Sequence, residues 1–132
     1  MITISTDKSK LQIDVIHQFL ATTYWAKGRT LDEVKNTIEN SFCFGVYLNN
    51  EQIGFARIVT DYVVFVYIMD VFILPNYRGE GFSKQLMETI NTEPKLQSCK
   101  VWMLKTSDAH NLYKQFGYTS LKHPEKVMER IL

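Results

Sequence analysis

Three groups of residues in this 132-residue chain have types and spacings suited to chemistry. The first is Arg78-Gly79-Glu80-Gly81-Phe82-Ser83, which sets two glycines just ahead of an amphipathic stretch. The opening N–H groups of a helix lack intrahelical partners and carry partial positive charge. Glycines without a Cβ let a phosphate approach such a backbone closely. Ser83 adds a small hydroxyl donor, and Arg78 a positive charge at the rim. The second is Tyr113, a phenol able to protonate a leaving group, with His110 in the same segment as a further proton carrier or phosphate contact. The third is Asp70, the only acid in the apolar stretch Tyr62 to Leu74. A buried carboxylate needs a partner or a raised pKa. Asp70 therefore either accepts a proton or holds an ammonium, or it bonds local backbone. Asp61, in the turn before that stretch, is a second candidate base.

Residues that could wall a small pocket are Tyr24, Trp25 and Arg29, with Phe65 and Tyr67 on the apolar stretch. Aromatic walls with few polar groups suit a small ligand. Tyr24 and Trp25 could embrace an apolar or cationic amine. Arg29 could instead bind a carboxylate, which would favour amino-acid-like molecules. In the structural alternative, Trp25 plugs the core and Arg29 is solvated.

These residues need elements to position them. Leu11 to Tyr24 carries apolar residues near helical spacing, and Ala26-Lys27-Gly28-Arg29 breaks it. Thr30 and Glu33 form a capping box for a second helix to about Glu39. Phe42 to Leu48 and Gln52 to Thr60 read as a hairpin turning at Asn49-Asn50-Glu51. Tyr62 to Leu74 exceeds one ordinary strand and is expected to split near Tyr67 to Asp70, with Pro75 as its stop. Glu80 to Asn91 reads as a helix, Lys100 to Lys105 as a short buried strand, and Asp108 to Phe116 as a short helix ended by a left-handed Gly117. Tyr118 to Leu121 and Val127 to Leu132 are expected as two further strands. This mixture predicts helices packed on a central sheet.

Composition bounds the function classes. A net charge of +1 with 22% charged residues argues against a broad basic surface for nucleic acid. A chain of this length fits one domain, residues 1–132, with no repeat or low-complexity linker. Cys43 and Cys99 show no metal-ligand spacing and read as small buried hydrophobes, so no metal is expected. The polar start MITISTDKSK carries no secretory signal, and no apolar run would cross a bilayer, so a cytoplasmic protein without a membrane partner is the expectation. The glycine loop lacks the Gly-Lys-Ser/Thr of a P-loop and the third glycine of a dinucleotide fingerprint.

Arg78-x-x-Gly81-x-Ser83, after Val71-Phe72-Ile73-Leu74-Pro75, resembles the signature of the GNAT superfamily of N-acetyltransferases, Gln/Arg-x-x-Gly-x-Gly/Ala after a strand ending in apolar-x-Pro. Ser83 replaces the usual Gly or Ala. The segment Thr106 to Tyr118 is similar to the family's C-terminal motif, with Ala109, Leu112, Tyr113, Gly117 and Tyr118 in register and Thr106 where Asn is frequent. The resemblance is specific from Asp70 to Tyr118.

The resemblance implies the GNAT acyl-CoA N-acyltransferase fold, α/β (α+β), with a mixed, mainly antiparallel sheet flanked by helices. It implies acetyl-CoA as cosubstrate and an acetyl group moved to an amine by direct attack in a ternary complex. Phe72 and Ile73 would offer backbone to the pantetheine arm at a splay between strands. Gly79, Glu80, Gly81, Phe82 and Ser83 would wrap the pyrophosphate beside Arg78, with Thr106 and Asn111 as further contacts. Tyr113 would be the general acid and Asp70 the base. The expected acceptor is a small-molecule amine. A peptide acceptor and a non-catalytic acyl-CoA-binding domain are the alternatives, and a homodimer is compatible with the sequence.

Overall fold

The computed structural model describes residues 1–132 and is organised on a five-stranded sheet in the order β1-β2-β3-β4-β5. The strands are β1 Thr3–Ser5, β2 Phe42–Leu48, β3 Glu51–Thr60, β4 Phe65–Ile73 and β5 Val101–Leu104. The first four are antiparallel neighbours, and β5 runs parallel to β4. The helices are α1 Ile13–Leu20, α2 Leu31–Glu39, α3 Phe82–Asn91 and α4 His110–Lys114.

Two apolar clusters show how the layers lie. Ile16 and Leu20 of α1 and Val34 and Ile38 of α2 pack with Cys43, Phe55 and Phe72 on one face. Leu86, Met87 and Ile90 of α3 and Tyr113 of α4 pack with Phe44, Ile58, Val66 and Ile68 on the other. Both cysteines are free and buried within these clusters. None of the helices is long and apolar enough to cross a membrane.

Local chemistry explains the element ends. Thr30 accepts from the Glu33 N–H while the Glu33 carboxylate accepts from the Thr30 N–H, closing the capping box at α2. Asn49 and Asn50 both adopt positive φ, 52° and 66°, which gives the tight hairpin turn its twist. Gly117, at φ 89°, follows α4 in the left-handed region. The first helix stops at Leu20, short of the expected Tyr24. Thr22 and Thr23 donate their hydroxyls to the Phe19 and Leu20 carbonyls at 2.6 and 2.7 Å, and their N–H groups bond three residues back, which tightens the chain out of the α-helix.

Three expectations are corrected, and one strand is new. Tyr62 to Leu74 is not two strands: residues 65–73 form the single strand β4, bent by a bulge at Asp70 instead of being cut there. Strand β5 is an edge strand, with Val101 46% exposed, not a fully buried one. Tyr118 to Leu121 and Val127 to Leu132 form no strands, because neither segment lies in a ladder with a neighbour. Strand β1 was not anticipated: its short polar sequence carries little strand signal, and its pairing to β2 creates it.

Candidate active site

Strand β4 carries the site because its two halves have different neighbours. Phe65 to Ile68 pair with Val101 to Leu104 of β5, and beyond Ile68 the pairing ends. From Met69 to Ile73 the β5-facing edge is therefore open. The Leu74 N–H bonds the Ile53 carbonyl at 2.8 Å. Backbone groups of successive strand residues face opposite edges, so Ile73 lies on the open edge and Phe72 on the β3 edge. Phe72 is thus no backbone partner for a ligand at the splay; its ring stacks on Phe19 inside the α1–α2 cluster. Arg78 Nε donates to the Ile73 carbonyl at 2.9 Å, leaving the Ile73 N–H on that edge.

The glycine loop follows. Gly79 and Gly81 adopt φ of 83° and 79°, a region that side chains with a Cβ enter at a cost, and the space a Cβ would occupy is open at both. Gly81 is the N-cap of α3, and no side chain caps that helix. The first N–H groups of a ten-residue helix are therefore left to solvent or to an anion. The Arg78 guanidinium lies 5.8 Å from the Phe19 ring centre and lines the same cavity as Ser83.

The second half of the site is assembled from three separated segments. Asp70 is the only non-glycine residue within a strand to adopt positive φ, 52°. Ahead of it, Val66 and Ile68 point to the α3 face; beyond it, Val71 and Ile73 do. The bulge thus shifts the alternation by one residue, and Asp70 turns toward α1 and α2 instead of into the α3 core. There its Oδ2 accepts from Arg29 Nη1 at 2.7 Å and from Arg57 Nε at 2.8 Å, and its Oδ1 accepts from the Trp25 indole at 3.3 Å. Its side chain is 1% exposed. Both carboxylate oxygens are engaged, so the free base expected at Asp70 does not fit this geometry. Asp61 is not near the site: it accepts from the N–H groups of Val63, Val64 and Phe65, which holds its carboxyl below the usual range and makes it a loop anchor.

A cavity of about 640 Å³ joins the two halves. Arg78 and Ser83 lie along it with Tyr24, Trp25, Arg29, Tyr67 and Asp70. Tyr113 borders it from α4, 8% exposed, and its hydroxyl makes none of the chain's hydrogen bonds. Burial pushes its phenol pKa above the ordinary value, with the nearby Asp108 carboxylate adding to the effect. The phenol therefore keeps its proton at neutral pH. Thr106 accepts from the Ala109 N–H at 3.0 Å and fixes the turn into α4. Tyr24 is tied by its hydroxyl to Ser107 at 2.8 Å, linking the α1–α2 loop to that turn.

Several expected residues stand elsewhere. Phe65 stacks on Tyr67 but does not line the cavity. Asn111 is exposed and outside it. His110 lines a second groove along β5 that shares Lys105, Thr106 and Tyr113 with the cavity, and it is not on the cavity itself. Trp25 is no core plug: it is 46% exposed at the cavity wall. Sequence reasoning missed Arg57, although a lone charge amid Ile53-Gly-Phe-Ala-Arg-Ile-Val carries the same signal that singled out Asp70.

The sequence model of the acetyltransferase (GNAT) domain matches residues 39–120, more than half of the chain. A protein of Gibberella zeae named "Putative acetyltransferase FG08082" is 30% identical over 138 residues, spanning 86% of this chain and 77% of its own length. A crystal structure from Xanthomonas campestris pv. campestris, described as belonging to the GNAT family, matches with a TM-score of 0.97 at 43% identity, covering 100% of this chain and 94% of that one. A Clostridium acetobutylicum protein described as a predicted acetyltransferase with acetyl-CoA shares the fold, with a TM-score of 0.73 at 17% identity over 99% of this chain and 96% of its own. The chain belongs to the GNAT family and is an N-acetyltransferase.

Proposed function

We propose that the chain acetylates the amine of a small molecule, with acetyl-CoA as the donor and direct attack within a ternary complex. One observation carries the reading: a single cavity of about 640 Å³ reaches from the uncapped α3 end to Trp25, Arg29 and Asp70, with Tyr113 on its border. That volume suits a small ligand. GNAT folds generally use acetyl-CoA, and the Clostridium relative is described with it.

Bound here, acetyl-CoA supplies an acetyl thioester. The residues present fit it. Gly79 to Ser83 offer open backbone and an uncapped helix start for the pyrophosphate, and Arg78 a neighbouring charge. The Ile73 N–H lies on the open edge for the amide-bearing arm. Trp25 and Tyr24 wall the acceptor end, and the Asp70 carboxylate holds Arg29 by an ion pair and Trp25 by a hydrogen bond from its indole N–H. As the amine nitrogen bonds the acetyl carbon and the carbon–sulfur bond breaks, the Tyr113 hydroxyl gives its proton to the sulfur. The amine proton leaves to water, because Asp70 is already bonded at both oxygens. Tyr113 regains a proton from solvent.

The test is thiol release from acetyl-CoA with purified protein and three acceptor sets: small amines, amino acids and short peptides. Turnover with a small molecule and none with peptides is expected. Turnover confined to peptides would replace the small-molecule reading, and calorimetry showing no acetyl-CoA binding at millimolar concentration would remove the donor.

A further inference from the structure

We propose that the acceptor carries a carboxylate and that Arg29 binds it, which makes the substrate class an amino carboxylic acid with an apolar or aromatic flank. The inference rests on the small-molecule reading above and narrows it.

Charge balance is the starting point. Asp70 is the one carboxylate set between two guanidiniums, so the Arg29–Asp70–Arg57 cluster holds a net positive charge away from water. Every Arg57 nitrogen has a partner: Nε on Asp70, Nη1 on the Ser41 hydroxyl at 3.2 Å and Nη2 on the Met69 sulfur at 3.4 Å. Arg29 differs. Only its Nη1 is bonded, to Asp70, while Nε and Nη2 have no partner in the chain. Its side chain is 22% exposed, and Arg29 is among the residues lining the cavity. Glu33, an acid close enough to feel the Arg29 charge, is committed to the cap at Thr30. A guanidinium fixed at one corner, with a free edge in a partly desolvated pocket, is a carboxylate site of the paired N–H kind.

The surroundings disfavour a purely cationic acceptor. The Asp70 carboxylate is occupied, the Trp25 N–H points to Asp70, and the Tyr24 hydroxyl is held by Ser107. The remaining acid on the cavity, Asp108, acts on Tyr113 from the turn into α4, a place suited to the amine end. Tyr24 and Trp25 then face the acceptor's apolar flank.

Matched pairs test this. Thiol release is measured with phenylalanine against phenethylamine and with leucine against isoamylamine, each pair differing only in the carboxylate. Binding is read separately, as the melting shift of CoA-loaded protein with N-acetylphenylalanine against its methyl ester. The acids should exceed the amines in kcat/KM by about tenfold to a hundredfold, the size of one charge-assisted contact. Arg29→Gln should collapse that ratio mainly through KM, and Arg29→Lys should restore part of it. The free acid should shift the melting temperature and the ester should not. Amines matching or beating their acids, or ester and acid binding alike, would overturn the carboxylate site while leaving the acetyltransferase reading standing. Selective binding of the free acid without turnover of any small acceptor would keep the site and remove the small-molecule reading.

Discussion

The two ends of the cavity are built by opposite strategies. The glycine loop, from Ile73 to Ser83, is contiguous: a strand end, a proline turn and a helix start lie within a few residues, and the geometry of each is local. The acceptor end draws Trp25 and Arg29 from the α1–α2 loop, Arg57 from β3 and Asp70 from β4, and none is within twelve residues of both others' elements. The glycine loop depends on backbone that must stay bare. The acceptor end depends on one carboxylate that must stay paired. Damage should therefore spread differently from each.

The largest effect is expected from Asp70→Ala. It leaves the Arg57 guanidinium buried beside an unpartnered Arg29, and loss of one member of such a cluster costs about 3 kcal/mol. That corresponds to a melting temperature roughly 10 °C lower. Calorimetric scanning measures it, and acetyl-CoA affinity of the folded fraction should be nearly unchanged. A folded, equally stable Asp70→Ala protein would show that the cluster does not hold the acceptor end together.

Next in size is Gly81→Glu. A side chain at φ 79° is strained, and a carboxylate at the uncapped start of α3 repels a pyrophosphate. Acetyl-CoA binding by titration calorimetry should weaken by at least about a hundredfold, on the scale of lost charge-assisted contacts. Binding of N-acetylphenylalanine should persist, which separates the two ends.

Tyr113→Phe should leave both affinities alone and lower kcat by about tenfold to a hundredfold, the lower part of the range for a positioned acid. Its pH profile sharpens the assignment. Burial raises the Tyr113 pKa above the usual tyrosine value, so the phenol stays protonated further into the alkaline range. The gap between wild type and variant should persist through neutral pH and close only as pH rises past that raised value. Equal rates for both proteins across the range would take Tyr113 out of the reaction.

The smallest effect belongs to Asn111→Ala. Asn111 is exposed and off the cavity, so acetyl-CoA affinity and turnover should match wild type within error. A clear loss of cofactor affinity would extend the contiguous half of the site into α4.

What could be read along the chain follows the same division. The capping box at Thr30, the Asn49-Asn50 turn, the α3 face and the left-handed Gly117 are decided within a few residues by donors, acceptors and φ, so sequence alone determined them. The left-handed glycines ahead of α3 were legible for that reason. Tertiary structure decided the rest. Nothing in Met69-Asp70-Val71 announces that Asp70 takes positive φ and turns to the opposite face; the register of β3 against β4 and two waiting guanidiniums select that conformation. Trp25 and Arg29 could equally have been core plug and solvated charge until α1 and α2 folded against the sheet. The expected strands at Tyr118 and Val127 failed for the converse reason: a strand is stabilised by the ladder it joins, and no neighbour in this chain supplies one.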